Sequence, residues 1–216
     1  STVTMAFAKR LGLLYLDTGA MYRAVTWLIQ KEQISPKDQN AVKETLINLK
    51  LELQPSKTRM QNILINGIDV TEEIRSPEVT SMVSEIAAHC AVREALTSQQ
   101  KDIGKQGGLV AEGRDIGTAV FPDAELKVFL TASPAERARR RANDLKERGF
   151  QVPALEELER LIKERDDLDM NRKIAPLCQA KDATELITDG MNIEEVIEAL
   201  IDLFRLRVPE EVWPTP

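Results

Sequence analysis

Cysteine and histidine are nearly missing from this chain, whose 216 residues hold two cysteines and one histidine. Cys90 and Cys178 lie far apart with no CxxC or other metal spacing, so both read as reduced, structural thiols. His89 alone excludes a histidine-based metal site and reads as a helix-surface residue. No apolar run approaches the ~18 residues of a membrane helix, and no signal-peptide pattern is present, which points to a cytoplasmic protein. A surplus of positive charge is absent as well. The net charge of -6 argues against a broad nucleic-acid-binding face. Any anion site must therefore be built from locally gathered arginines. Internal repeats and low-complexity segments are also lacking.

What remains is the composition of an ordinary globule, 43% hydrophobic and 30% charged, long enough for one domain with insertions or for two. Residues 1–12 read as a helix already under way, with a glycine stop at Gly12. Leu13 to Leu16 is a compact apolar strand ending at Asp17, and Ala20 to Lys31 is a helix with Met21, Ala24, Val25 and Leu28 inward. Strand, polar turn and helix form the unit of a parallel sheet. A different texture follows. A helix starts at Ser35-Pro36 and carries Val42, Leu46 and Leu49. Strands at 51–53 and 63–65 are followed by Asn66-Gly67, a strong hairpin signal. Ser76-Pro77 opens a helix with a cap and a first-turn proline, and a further helix covers residues 92–105.

Leu109 to Ala111 resumes the sheet and releases Arg114 and Asp115 at its carboxyl end, where open parallel sheets bind ligands. The bland alternative is a turn in which Arg114 and Asp115 pair with each other or with solvent. Strands at 126–130 and 186–188 and helices at 134–148, 153–170 and 193–206 complete an α/β pattern. Residues 208–216 read as an extended arm with Trp213 exposed.

Arginine is unevenly placed. Arg137, Arg140 and Arg141 share one helix face, and Arg165, Asp169 and Arg172 share another at i, i+4 and i+7. The bland reading is two solvated helices with pairs such as Glu136–Arg140. Against it, polar residues occupy faces where a core helix is apolar. A guanidinium gives two parallel N–H bonds to two phosphate oxygens and keeps its charge at any accessible pH. A carboxylate such as Asp169 among arginines suits a sugar hydroxyl. The residues alone thus lead to a phosphate-bearing ligand and name no reaction.

Four segments together resemble the bacterial cytidylate kinases: LDTGAMYR at 16–23; GIDVTEEIR at 67–75, running on to Ser84 and to VRE at 92–94; EGRDIGTAVFP at 112–122; and ERDDLDMNR at 164–172. The resemblance implies a P-loop NTPase-type three-layer parallel sheet core with a nucleotide-monophosphate insert and a lid. The expected division is core at 1–32, insert at 33–106, core at 107–140, lid at 141–168, and core with a carboxyl-terminal arm at 169–216. It further implies that Ser84, Arg93 and Asp115 recognise the cytosine edge, while Arg23, Arg114 and Arg165 hold the acceptor phosphate. Asp169 takes the ribose hydroxyl with Arg172 beside it, and Thr18 lies near the monophosphate. Arg114, Arg23 and Arg172 carry the catalysis. On the donor side it places Arg137, Arg140 and Arg141, with Ser1 and Thr2.

The implied reaction is transfer of the γ-phosphoryl group of ATP to CMP or dCMP with Mg²⁺, by a monomer that engages neither nucleic acid nor membrane. One departure matters. The loop GxxxxGK[ST], whose amides and lysine cradle the donor phosphates and whose serine hydroxyl binds Mg²⁺, is not in these residues. They open at Ser1-Thr2, where that motif ends. The expectation is a parent protein longer at its amino end; in some bacteria this kinase follows a pantoate-activating ligase domain. Two alternatives stay open: a nucleotide-binding module without the donor loop and without turnover, and a P-loop kinase acting on another small molecule. CMP compared with UMP separates the second from a cytidylate kinase.

Overall fold

The structure is a computed structural model that describes residues 2–55 and 61–213. The chain divides into two compact units, one running from Val3 to Gly113 and the other from Arg114 onward.

In the first unit, α1 (Thr2–Leu11) is followed by β1 (Leu14–Asp17) and α2 (Thr18–Lys31). Gly12 ends α1 at φ 68°, a left-handed conformation that glycine adopts without a Cβ penalty. β1 pairs in parallel with β5 (Leu109–Glu112), Asp17 standing opposite Glu112 at the carboxyl ends. Asp17 also caps α2, its Oδ1 accepting the Ala20 N–H at 2.9 Å. The four inward residues expected on α2, Met21, Ala24, Val25 and Leu28, are all buried.

Between these parallel strands lie α3 (Gln39–Ile47), the antiparallel strands β2 (Leu51–Pro55), β3 (Gln61–Ile65) and β4 (Ile68–Asp69), a 3-10 turn (Glu73–Arg75), α4 (Pro77–Ala87) and α5 (Cys90–Gly104). Asn66 and Gly67 turn β3 into β4 with φ of 50° and 79°, the left-handed pair that the dipeptide favours. Ser76 caps α4 and Pro77 opens it, as the sequence signals require.

Several local expectations are corrected here. α3 starts at Gln39 rather than at Ser35-Pro36, because Asp38 is the residue that caps it, accepting from Asn40 and Ala41 N–H. Leu49 consequently lies beyond the helix. His89 is buried, with its Nε2 2.5 Å from the Pro36 carbonyl, rather than on a helix surface. Cys90 and Cys178 are free, as expected, but both are exposed, so neither packs a core.

In the second unit, a short π-helical turn (Ile116–Val120) follows Asp115. β6 (Val128–Thr131) pairs in parallel with β7 (Thr184–Ile187), so the last strand starts two residues before the expected 186 and ends before Thr188. α6 (Pro134–Glu147) and α7 (Leu155–Asn171) pack on one another through Ala138, Leu145 and Leu158, flanked by Ala142, Phe150 and Ile162. α8 (Ile193–Arg207) begins with a capping box of Asn192 and Glu195 and buries Val196, Ile197, Leu200, Ile201 and Phe204. The tail after it is not a fully extended arm. Trp213 folds back to lie 5.7 Å from the Phe204 ring, its Nε1 donating to the Val208 carbonyl at 2.9 Å. Residues 214–216 lie outside the described residues.

Parallel strands joined by helices make this an α/β protein. Among the described residues the strands pair as two parallel doublets and one antiparallel triplet.

Candidate active site

The sequence-predicted residues fall into a group in each unit. In the first, they surround the amino end of α2. Thr18 is buried, its Oγ1 donating to the Glu112 carbonyl at 2.7 Å. Arg23, one turn on, is half-buried; its Nη1 donates to the Ile74 carbonyl at 3.2 Å and to Thr80 Oγ1 at 2.7 Å. Ser84 is half-buried on α4. Arg93 on α5 is buried, donates to the Ala87 carbonyl at 3.1 Å, and lies over the Tyr22 ring at 5.4 Å. A guanidinium over an aromatic face is attracted by the ring quadrupole, so Tyr22 helps fix its plane.

Sequence reasoning assigned no role to the neighbouring acids. Arg75 Nη2 donates to Asp17 Oδ2 at 2.7 Å. Burial raises the Asp17 carboxyl, but the Arg75 guanidinium and the Ala20 N–H outweigh it and hold the pKa below the ordinary value. Opposite it, Glu112 accepts from Tyr15 OH at 2.6 Å and from Thr4 Oγ1 at 2.7 Å. Burial, together with the charges of Asp17 and Glu112, pushes the Tyr15 phenol far above its usual range, so it remains a donor. The signal for these acids was their position at strand ends; their partners lie too far along the chain to be read from spacing.

In the second unit five predicted residues form one network. Asp169 is buried on α7 and is reached from three sides: by Arg114 Nε at 3.1 Å, Arg165 Nε at 3.9 Å and Arg172 Nη1 at 3.8 Å. Arg172 Nη2 also lies 3.5 Å from Asp115 Oδ1. Arg114 and Asp115 therefore pair across to α7 and its end, which removes the bland reading of a self-paired turn. The helical spacing of Arg165, Asp169 and Arg172 aims all three side chains at one point.

Cations outnumber anions at that point. Arg165 Nε is shut off from solvent and has no hydrogen-bond partner. Burial first, then the like charge of Arg114, pulls its pKa down to about 10 against the opposing pull of Asp169 and Asp166. A buried guanidinium lowered this way suits an anion not supplied by the chain.

The remaining predicted arginines lie on α6. Arg137 forms a two-pronged ion pair with Asp166 on α7. Arg140 donates to Glu136 at 2.7 Å and to Thr188 Oγ1 and carbonyl at 2.9 and 2.6 Å. Arg141 pairs with Asp144 at 2.7 Å. The three are not brought together: each has its own acid. The expected Glu136–Arg140 pair is present with Arg139 beside it, and these arginines hold Glu136 down at about 2. Thr2 opens α1 and is exposed, while Ser1 lies outside the described residues. Among the described residues no group of three His, Cys, Asp or Glu is placed to hold a metal ion, so they build no Mg²⁺ cage of their own. No helix among them is long and apolar enough to cross a membrane.

Parallel strands that end at Asp17 and Glu112, with Arg114 just beyond, and three arginines gathered round one buried acid define an α/β protein with an arginine-rich site. The cytidylate kinase family model matches residues 1–206, and the chain belongs to the cytidylate kinase family. It is similar to the bifunctional pantoate ligase/cytidylate kinase of Prochlorococcus marinus strain MIT 9303, 73% identical over 216 residues, covering all of this chain and 44% of that protein. The protein of the same name in P. marinus strain NATL2A is 66% identical over 216 residues, with 42% of its length covered. That of Synechococcus sp. strain CC9311 is 65% identical over 216 residues, with 44% covered. The chain thus spans less than half the length of each of these relatives.

Proposed function

We propose that this chain is the CMP-phosphorylating part of its protein, transferring the γ-phosphoryl group of ATP to CMP or dCMP. The observation that carries the reading is the buried Arg165 Nε without an acceptor, set with Arg114 and Arg172 around Asp169. A tetrahedral dianion supplies the missing acceptors. The family assignment favours this over a P-loop kinase for another small molecule.

In this reading Arg23, Arg114 and Arg165 hold the acceptor phosphate, with Thr18 near it. Asp169 accepts from the ribose hydroxyl with Arg172 beside it, and Ser84, Arg93 and Asp115 read the cytosine edge. A CMP phosphate oxygen is already nucleophilic at neutral pH, so no general base is needed. The chain's work is to align the oxygen with the moving phosphoryl group and to balance charge spreading over its equatorial oxygens. Arg114, Arg23 and Arg172 supply that charge without a proton transfer. Arg137, Arg140 and Arg141 serve the donor side, and ATP release of each from its acid is the associated step. Mg²⁺ binds chiefly through substrate phosphates and water in such enzymes. Residues 33–106 act as the monophosphate insert, 141–168 as a lid excluding water, and the remainder as core.

The test is ATP- and Mg²⁺-dependent conversion of CMP to CDP by the natural protein that carries these residues, with UMP alongside. Turnover with CMP well above UMP is expected. CMP binding without turnover supports the nucleotide-binding module instead, and indifference to CMP sinks the assignment.

A further inference from the structure

Arg23 uses both hydrogens of Nη1 within its own unit, on the Ile74 carbonyl and on Thr80 Oγ1. The Thr80 hydroxyl has one proton, and Thr80 Oγ1 lies 2.8 Å from the Ser76 carbonyl, which can only accept. That proton therefore goes to Ser76, and a lone pair of Thr80 is left to face Arg23, which can only donate. The second acceptor is held as firmly. Ile74 is fully buried, and the next residue, Arg75, is tied to Asp17, the cap of the helix that carries Arg23. A closed ring runs Asp17, α2, Arg23, Ile74, Arg75 and back to Asp17.

We infer that Thr80, with the Ile74 carbonyl, is a positioning residue for Arg23. By engaging Nη1 together they fix the plane of the guanidinium, the fork that matches phosphate oxygens. Thr80 acts through Arg23 and touches no reacting atom. Holding the fork in place beforehand removes an ordering cost from phosphate binding. The inference rests on the CMP-kinase reading above.

The test compares CMP with cytidine, which lacks the phosphate, by calorimetry on the wild-type protein and on Thr80→Val, Thr80→Ala and Thr80→Ser. With the hydroxyl removed, CMP binding is expected to weaken roughly tenfold while cytidine binding changes less than about twofold, and Thr80→Ser is expected to restore CMP. In turnover, KM for CMP rises in the variants lacking the hydroxyl. Equal weakening of CMP and cytidine would make Thr80 a packing residue and overturn the inference. Tighter CMP binding would mean that the hydroxyl parks Arg23 away from the phosphate, which also overturns it. Thr80→Ala keeps the comparison available if the second methyl of Thr80→Val disturbs α4. A wild-type protein that ignores CMP defeats the kinase reading itself, whereas a CMP-binding wild type with unaltered variants defeats the positioning role alone.

Discussion

Arg75 and Asp17, 58 positions apart, meet in an ion pair of 2.7 Å, and the same carboxylate caps α2. Removing either partner leaves a different residue uncompensated. Arg75→Met strands a buried carboxylate and is expected to cost about 3 kcal/mol in urea unfolding at pH 7. Asp17→Asn keeps a good capping side chain and is expected to cost less, about 1–2 kcal/mol. The pH dependence has a defined sign. The folded-state pKa of Asp17 lies below its unfolded value of 3.8, so its contribution is present above that value and is lost as pH falls through the folded pKa. Unfolding midpoints measured from about pH 5 down to about pH 2 should show a weaker acid loss in Asp17→Asn than in the wild type.

Arg165 carries the opposite kind of strain. Its pKa near 10 reflects a charge the ligand-free fold disfavours. That penalty persists at all pH values below about 10 and is relieved only as the group deprotonates. Arg165→Met is therefore expected to stabilise the ligand-free protein by about 1 kcal/mol while abolishing the rise in Tm that CMP gives the wild type. Thermal scans with and without CMP check both halves. A variant less stable than wild type would show the ion pairs to outweigh the burial.

Arg114 reaches Asp169 through Nε, a geometry that a lysine ammonium does not reproduce. Arg114→Lys is expected to keep Tm close to wild type and to lower kcat/KM for CMP by roughly 100-fold. Unchanged turnover would remove Arg114 from the site.

Leu145 is 2% exposed in the small apolar seam between α6 and α7. With so few apolar partners holding two highly charged helices together, Leu145→Ala is expected to cost about 2–3 kcal/mol. Amide exchange should rise first along α6 and α7. The exposed Arg160–Glu157 and Arg160–Glu164 pairs on α7 are too well hydrated to compensate.

Local chemistry made much of the fold legible. Ser76-Pro77 opens α4, Asn66-Gly67 turns β3 into β4, and the apolar spacing of α2 names its buried face, because each signal acts within a few residues. The same holds for half of the candidate site. Arg165, Asp169 and Arg172 converge because helical geometry alone brings i, i+4 and i+7 to one side. Local signals misled where two candidates competed: Ser35 and Asp38 both cap well, and the choice of Asp38 accompanies the docking of buried His89 on the Pro36 carbonyl.

By itself, then, the sequence determined the α/β alternation, the Ser76 cap, the arginine faces and the family, all carried by short-range spacing and motif. The tertiary structure decided the partners. It set Arg75 on Asp17, Thr80 under Arg23, and Thr4 and Tyr15 on Glu112, contacts spanning 57 to 108 positions. Such pairings depend on which strand ends and helix faces packing brings together, and side-chain type alone does not encode them. Of the α6 arginines only Arg137 follows this rule, reaching Asp166 on α7, whereas Arg140 and Arg141 take Glu136 and Asp144 of their own helix, partners that spacing alone supplies.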